Sequence, residues 1–253
     1  MSGHSKWAQI RRSKGVNDAR RGQLFTRLGR EIVVAVREGG SGDPNANFRL
    51  RMAVQRARDA NMPMDNIERT IKRAVGGSEG ASLEEITYEG YGPAGTALLV
   101  QTLTENRNRT VAEVRNAFSR NAGNMGENGC VDWLFEATGI LEVELANKDV
   151  DELTLEAIDL GANDVENVGP DDEVLTIYTE PSDLERIRQA LEARKYKIVK
   201  AESTMLPKTR IDLPDEKTAH QFLRLVEKLE DLDDVQNVYS NADFPEEFAA
   251  SYE

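Results

Sequence analysis

Three segments near the N-terminus repeat their apolar residues at the spacing of an α-helix. The first spans about residues 16–38 and stops at Gly39-Gly40. At about 100° per residue, its apolar side chains fall on one face and a row of arginines falls on the other. The apolar face holds Leu24, Phe25, Leu28, Ile32, Ala35 and Val36, and the basic face holds Arg20, Arg27, Arg30 and Arg37. The pattern predicts a helix with one side in a core and the other exposed.

Two shorter helices are predicted to follow. One starts after Asp43-Pro44, where an Asp cap precedes a proline at the first helical position, and ends at Met62-Pro63. The other starts with Asp65 and Glu68 at capping-box spacing and ends at Gly76-Gly77. Three short helices with brief connections are typical of a bundle, so we expect a basic helical domain over residues 1–79.

The hydrophobic period changes after the Gly/Ser-rich stretch at 76–82. Residues 96–104 (TALLVQTLT) are apolar and β-branched, which predicts a strand, and Thr110 and Glu113 predict a capped helix after it. Further helices are predicted at 150–160, 181–192 and 216–230, and further strands at 131–135, 140–145, 164–168, 173–179, 197–205, 209–214 and 235–240, with a turn at Thr138-Gly139. Four helices with seven or eight strands predict an α+β fold with two ferredoxin-like α/β domains.

The order of these two domains along the chain is left open by the periodicity. Either the strand–helix units pair sequentially, or the first and last units enclose the two in the middle. The last residues, about 242–253, are predicted to form an acidic tail.

Charge is divided unevenly along the chain. The 253 residues contain 32 Lys+Arg and 45 Asp+Glu, a formal net charge of -13. Residues 1–73 hold 16 of the basic residues but only 7 of the acidic ones. The acidic remainder of the chain repels a polyanion, but salt screens this repulsion over about 8 Å. A polyanion in contact with the basic end is therefore still attracted to it. The division predicts that such a partner is held at the N-terminal end.

The sequence contains no signal that is typical of a membrane protein or a secreted protein. No apolar run approaches the roughly 20 residues of a membrane span, and no apolar segment of a secretory signal follows the first charges. Cys130 is the single cysteine, so a disulfide within the chain is impossible. We therefore expect a cytoplasmic protein.

Catalytic and cofactor motifs are missing as well. Residues 90–95 (GYGPAG) match G-x-G-x-x-G, but they precede a strand, whereas a phosphate-binding loop leads into a helix. His4 and His220 lie far apart in the sequence and have no cysteine at metal-ligand spacing. No nucleophile motif accompanies them. We expect no enzymatic activity, no metal and no cofactor.

The basic arm, residues 3–22 (GHSKWAQIRRSKGVNDARRG), is the first candidate for function. Lysine and arginine neutralise phosphates and release counterions, and a basic segment with an aromatic residue can fold on RNA and stack on an unpaired base. Trp7 has a second interpretation, in which it anchors the arm to the helical bundle. The candidate nucleic-acid contacts here are Lys6, Trp7, Arg11, Arg12, Lys14, Arg20, Arg21, Arg27 and Arg30.

The second candidate is a polar segment between the predicted strand at 96–104 and the next helix. It contributes Asn106, Arg107, Asn108 and Arg109. Donors placed just before a helix N-terminus can reach a phosphate or a base edge, helped by the helix dipole. The alternative is an ordinary polar surface loop.

Three long motifs resemble those of the YebC/PmpR family. They are GHSKWAQIRRSKGVNDARRGQLFTRLGREI (3–32), GGSGDPNANFRLRMAVQRARDANMP (39–63) and YEGYGPAGTALLVQTLTENRNRTVAEVRNAFSRNAGNMG (88–126). The resemblance implies a helical N-terminal domain and two α/β domains, one inserted in the other, at roughly 80–137 with 206–241 around 138–205. It also implies a DNA-binding transcriptional regulator or a ribosome-associated factor that assists translation of proline-rich stretches. Mitochondrial relatives activate translation of cytochrome oxidase.

Both implied activities need a nucleic-acid partner, either DNA or ribosomal RNA. No helix-turn-helix signature is evident, and the charge division suits a basic end inserted into ribosomal RNA slightly better than a duplex-DNA footprint. We expect no membrane partner and leave monomer or weak dimer open. The hypothesis requires that the protein does not neutralise the basic residues against its own carboxylates.

Overall fold

The computed structural model describes residues 18–76, 83–145, 149–169, 172–245, 247–248 and 251–252, without the side chains of 18–21 and 23. Its helices are α1 (Asp18–Gly39), α2 (Phe48–Asp59), α3 (Met64–Val75), α4 (Arg107–Arg120), α5 (Val150–Asp159), α6 (Leu184–Ala193) and α7 (Glu216–Glu230). Its strands are β1 (Glu84–Tyr91), β2 (Ala97–Thr104), β3 (Asn124–Met125), β4 (Phe135–Glu144), β5 (Asp164–Val165), β6 (Val174–Thr179), β7 (Ile198–Pro207), β8 (Ile211–Asp212), β9 (Val235–Ser240) and β10 (Ala242–Asp243).

The three N-terminal helices pack around one apolar core, as the periodicity predicts. The predicted starts of the second and third helices are wrong. Asp43 lies in a turn, where its carbonyl accepts the Ala46 and Asn47 N–H groups, and α2 begins five residues later than the proposed cap. Helix α3 begins after Pro63 without a side-chain cap, so Asp65 lies inside the helix. The core contains Leu28, Ile32, Ala35, Val36, Leu50, Ala53, Val54, Ala57, Met62 and Ile67.

Asn47 is the cap that α2 uses. Its side-chain oxygen accepts the Leu50 N–H at 3.1 Å, and its amide donates to the carbonyls of Ala35 at 2.7 Å and Ser41 at 2.9 Å. The side chain is therefore buried with its polar atoms paired. A Cβ on Gly39 would collide with it, so this helix end requires glycine. One amide thus joins the end of α1, the connecting loop and the start of α2.

The first sheet has the strand order β3-β1-β2-β9. Strands β1 and β2 pair antiparallel along their whole length, and β9 joins the other side of β2, although it comes after residue 208 in the sequence. Helices α4 and α7 contribute Val114, Phe118, Phe222 and Leu223 to the core that also contains Leu98 of β2. Strand β1 was not predicted from the sequence, because Glu84, Glu85 and Glu89 interrupt its apolar positions.

The described residues of Phe135–Lys208 form a compact unit of their own, and the described residues of 18–134 and 209–252 form the other. The sheet of the unit Phe135–Lys208 has the order β5-β6-β4-β7, and the core of this unit includes Leu141, Leu153, Ile177 and Leu191. The α+β class, with helices at the N-terminus followed by antiparallel sheets, is confirmed.

The predicted strand at 131–135 and the turn at Thr138-Gly139 are wrong. Residues Asp132–Leu134 form a turn of 3-10 helix, and β4 continues through both predicted turn residues in register with β7. Gly139 marks a close approach instead, because a Cβ there would lie 2.3 Å from the Thr179 hydroxyl.

Part of the segment expected as an acidic tail is packed into the fold. Strand β10 pairs in parallel with β8, and the Phe244 side chain is buried in the core next to Phe222. Phe248 and Tyr252 are partly buried against the same core. Within the part of the chain that the structure describes, no helix is long and apolar enough for a membrane span.

We expect Asn47→Ala to lower the free energy of unfolding by roughly 2–4 kcal/mol, because it removes a cap and the amide that donates to two carbonyls. Denaturant unfolding followed by circular dichroism measures the change. Asn45→Ala, at an exposed position of the same loop, is the matched control and should change the free energy by less than about 0.5 kcal/mol. Equal losses in the two variants would contradict the capping role.

Candidate nucleic-acid interface

The polar segment 106–109 forms the first turn of α4 rather than a loop before it. Asn106 caps the helix, since its side-chain oxygen accepts the Arg109 N–H at 3.1 Å. The predicted capping box at Thr110 is wrong, because Thr110 lies inside the helix and is buried. Arg107, Asn108 and Arg109 are exposed at the positive end of the helix dipole. We call residues 106–109 the α4 turn.

A buried carboxylate lies beneath this turn. Asp234 is 1% exposed and accepts hydrogen bonds from side chains of three elements. Arg109 donates to it at 2.7 Å, the Thr110 hydroxyl at 2.7 Å and the Thr104 hydroxyl at 3.1 Å. Arg30 of α1 donates to its other oxygen at 2.8 Å, and also to the carbonyl of Asp233. These residues form the Asp234 cluster.

The cluster holds Asp234 in its ionised form. Burial alone would raise the pKa of the carboxyl, because it disfavours the charge. Hydrogen bonds from Arg109, Thr110 and Thr104, together with the Arg109 charge, outweigh burial, so the pKa lies below its ordinary value. Asp234 is therefore an anion at neutral pH, and it compensates two cations.

The Asp234 cluster brings the two candidate regions of the sequence together. Arg30 belongs to the basic face of α1 and Arg109 to the α4 turn, and both bind one carboxylate. Because each guanidinium already binds this internal carboxylate, less of its positive charge is available to attract an external anion. The Arg109 side chain is still 49% exposed, and that of Arg30 is 24% exposed. Arg107 makes no ion pair with the described residues.

The remaining sequence candidates are placed as follows. Arg27 lies on α1 and is half-buried. The backbones of Arg20 and Arg21 lie in α1, but their side chains are outside the described part. Lys6, Trp7, Arg11, Arg12 and Lys14 lie outside the described residues altogether.

Other cations of the helical bundle are paired in ways that the sequence analysis missed. Arg49 of α2 bridges Glu38 of α1 and Glu85 of β1. Arg56 binds Glu31 at 2.7 Å. These pairs join residues distant in the chain, so no local charge pattern could have identified them.

A second buried carboxylate organises the loop at 126–132. Glu89 of β1 accepts backbone N–H groups of Gly129, Val131 and Asp132. Burial opposes its ionisation, but these three donors hold its pKa below the ordinary value. The loop in turn presents the carbonyl of Cys130 to the side chains of Tyr91 at 2.9 Å and Trp133 at 3.1 Å.

Two protein-family models match this chain. The model of the TACO1/YebC N-terminal domain matches residues 5–77, and that of the TACO1/YebC second and third domains matches residues 83–242. This chain belongs to the TACO1/YebC family. Among the described residues, no group of His, Cys, Asp and Glu side chains could hold a metal ion.

Relatives within the family are similar over nearly their whole length. A "probable transcriptional regulatory protein" of Chloroflexus aurantiacus is 56% identical over 255 residues, covering 100% of both chains. One of Moorella thermoacetica is 53% identical, covering 97% of this chain and 96% of the relative. A crystal structure of a conserved hypothetical protein from Aquifex aeolicus superposes with a TM-score of 0.81 at 46% identity, covering 95% and 98% of the two chains.

We expect Asp234→Asn to lower the free energy of unfolding at pH 7 by roughly 2–3 kcal/mol, because two guanidiniums lose a charged acceptor but keep some access to water. The native pKa is lowered, so the carboxylate stabilises the fold above the ordinary Asp pKa. That contribution disappears as the pH falls through the native value. The difference between wild type and variant should therefore shrink as the pH falls below about 5.

Urea unfolding at a series of pH values measures this difference. Asp233→Asn is the matched control, since it changes an exposed neighbouring side chain and keeps the carbonyl that Arg30 uses. A difference between wild type and Asp234→Asn that is constant with pH would show that the charge of Asp234 is unimportant for stability.

Proposed function

We propose that this protein regulates gene expression by binding nucleic acid without catalysing a reaction. The contact surface combines the basic arm, the arginine face of α1 and the α4 turn. The supporting observation is the Asp234 cluster, because one buried carboxylate binds both Arg30 and Arg109. Two regions that are separate in the sequence are thereby adjacent in one unit of the fold.

The α4 turn supplies donors suited to phosphate. Arg107 is exposed without an ion-pair partner among the described residues, and Asn108 is exposed beside it. The Arg109 guanidinium keeps half of its surface in water while Asp234 fixes its position. Fixed donors at a helix N-terminus lose less conformational entropy on binding an anion than flexible surface side chains do.

The names of family members support the part of this proposal that concerns regulation of gene expression. Relatives of more than half sequence identity carry the name "probable transcriptional regulatory protein". The same division of charge favours a second candidate, a ribosome-associated factor that binds ribosomal or transfer RNA and assists synthesis of proline-rich stretches. In that case the basic end enters RNA, and the acidic remainder faces solvent or basic ribosomal proteins.

Replacing Arg11, Arg12, Lys14, Arg20 and Arg21 with Gln should weaken binding to polyanions and flatten its salt dependence. Each phosphate contact contributes about 0.9 to the slope of log K against log salt on duplex DNA and about 0.7 on single strands. Fluorescence anisotropy on labelled duplex DNA and on an rRNA fragment, at several salt concentrations, measures both slopes.

The control for this variant removes the same number of positive charges elsewhere in the chain. It replaces Lys195, Lys197, Lys208, Lys217 and Lys228 with Gln. If the two variants lose affinity and slope equally, only net charge matters and the basic arm is not the contact.

Sedimentation of a cell lysate on a sucrose gradient separates the two candidate functions. A ribosome-associated factor should migrate with ribosomes at low salt and leave them at high salt, because its contacts are electrostatic. A transcriptional regulator should stay out of the ribosomal fractions and prefer particular duplex sequences in gel shifts. Ribosome co-migration with no sequence preference on DNA would exclude the transcriptional function.

A further inference from the structure

The open edge of β1 is a second surface suited to binding, and Arg107 of the proposed nucleic-acid contact lies beside it. Strand β2 covers one side of β1. On the other side, β3 pairs only with Gly90 and Tyr91, so residues 84–88 have no strand neighbour there among the described residues. An uncovered edge presents unpaired backbone groups.

The register identifies the groups that point outward. Leu103 of β2 donates its N–H to the Asp234 carbonyl at 2.8 Å, on the β9 side of the strand. Glu85, directly opposite Leu103, must then direct its N–H and C=O away from β2, and so must Thr87 two residues later. An independent contact agrees, since the carbonyl of Glu89 accepts the Gly126 N–H from outside.

A cavity of about 550 Å³ follows this edge. Four consecutive residues, 84–87, line it, although successive side chains of a strand point to opposite faces. The cavity therefore runs along the backbone edge rather than over one face. Arg107 and Asn128 form the rest of its wall together with Glu89, whose carboxylate fixes the loop that carries Asn128.

The charges along the edge select among possible occupants. The carboxylate of Glu84 is exposed, and that of Glu85 binds Arg49. The same edge of a second copy would bring further glutamates close to Glu84 and Glu85, and like charges close together are destabilising. The three glutamates in the wall also disfavour a phosphate backbone. A segment with lysine or arginine beside Glu84, and a carbonyl for Arg107, is complementary.

We propose that the open edge of β1 binds an extended, basic polypeptide segment of a partner protein by strand addition. The outward N–H and C=O groups of Glu85 and Thr87 pair with the backbone of the segment, and Glu84 binds its basic side chain. Main-chain hydrogen bonds supply affinity in this mode, and the flanking side chains supply selectivity. This interaction goes beyond nucleic-acid binding and does not depend on it.

The experiment titrates the full-length, isotope-labelled protein with the peptide acetyl-Lys-Val-Lys-Val-Lys-Val-amide and follows backbone amides by NMR. The amides of Glu85 and Thr87 should shift and become protected from hydrogen exchange. A peptide of the same sequence with N-methylated valines keeps the charge but loses alternate donors, and it should bind at least about tenfold more weakly if main-chain pairing supplies the affinity.

Protein variants test the charge. Glu84→Lys should weaken peptide binding at least about threefold, because it reverses the contact with lysine, whereas Glu136→Lys makes the same charge change at an exposed position of the other unit and should leave binding unchanged. Equal binding of the two peptides, unshifted Glu85 and Thr87 amides, or no binding at millimolar peptide would overturn the proposal. So would a single-stranded oligonucleotide that shifts these amides when the peptide does not.

Discussion

A carboxylate removed from water must be paired, and Asp234 is the residue at which this requirement organises the candidate site. Its partners come from α1, β2 and α4, so ionisation of one side chain depends on the packing of three elements. Breaking a buried pair leaves an uncompensated charge, which is costly, and the elements are therefore held in one arrangement. The arginine face of α1 and the α4 turn are adjacent for this reason.

The protein compensates part of its N-terminal charge internally. Arg30, Arg49 and Arg56 bind carboxylates, and these contacts stabilise the bundle and its junction with the first sheet. Arg107 makes no such pair within the described residues. Some cations of the basic end consequently maintain the fold, and the exposed Arg107 of the α4 turn is a candidate contact for an anionic partner. On the same sheet, glutamates along β1 give the neighbouring edge the opposite preference, so the two surfaces suit different partners.

Local patterns predicted the elements whose residue types favour one secondary structure along their whole length. Helix α7 and strand β9 have the predicted bounds, because a continuous apolar stripe and the Asp215 cap specify α7, whereas valine and tyrosine favour a strand at β9. Strand β1 was not predicted because glutamates interrupt its apolar pattern. Glu84 is exposed, Glu85 binds Arg49, and Glu89 accepts backbone N–H groups of a distant loop. The start of α2 was misplaced because three residues with capping side chains compete between 43 and 47, and only Asn47 also reaches the carbonyls of Ala35 and Ser41.

The sequence alone determined the fold class, the helical bundle, the concentration of positive charge at one end and the two segments that carry the candidate contacts. Periodicity, composition and motif resemblance are sufficient for these, since each depends on residues close together in the chain. Only the tertiary structure decided which carboxylate of the acidic run 229–234 is buried, which arginines it binds and which strand edge is left open. Those outcomes depend on contacts between distant segments, and no short-range pattern encodes the partner that a buried charge will find.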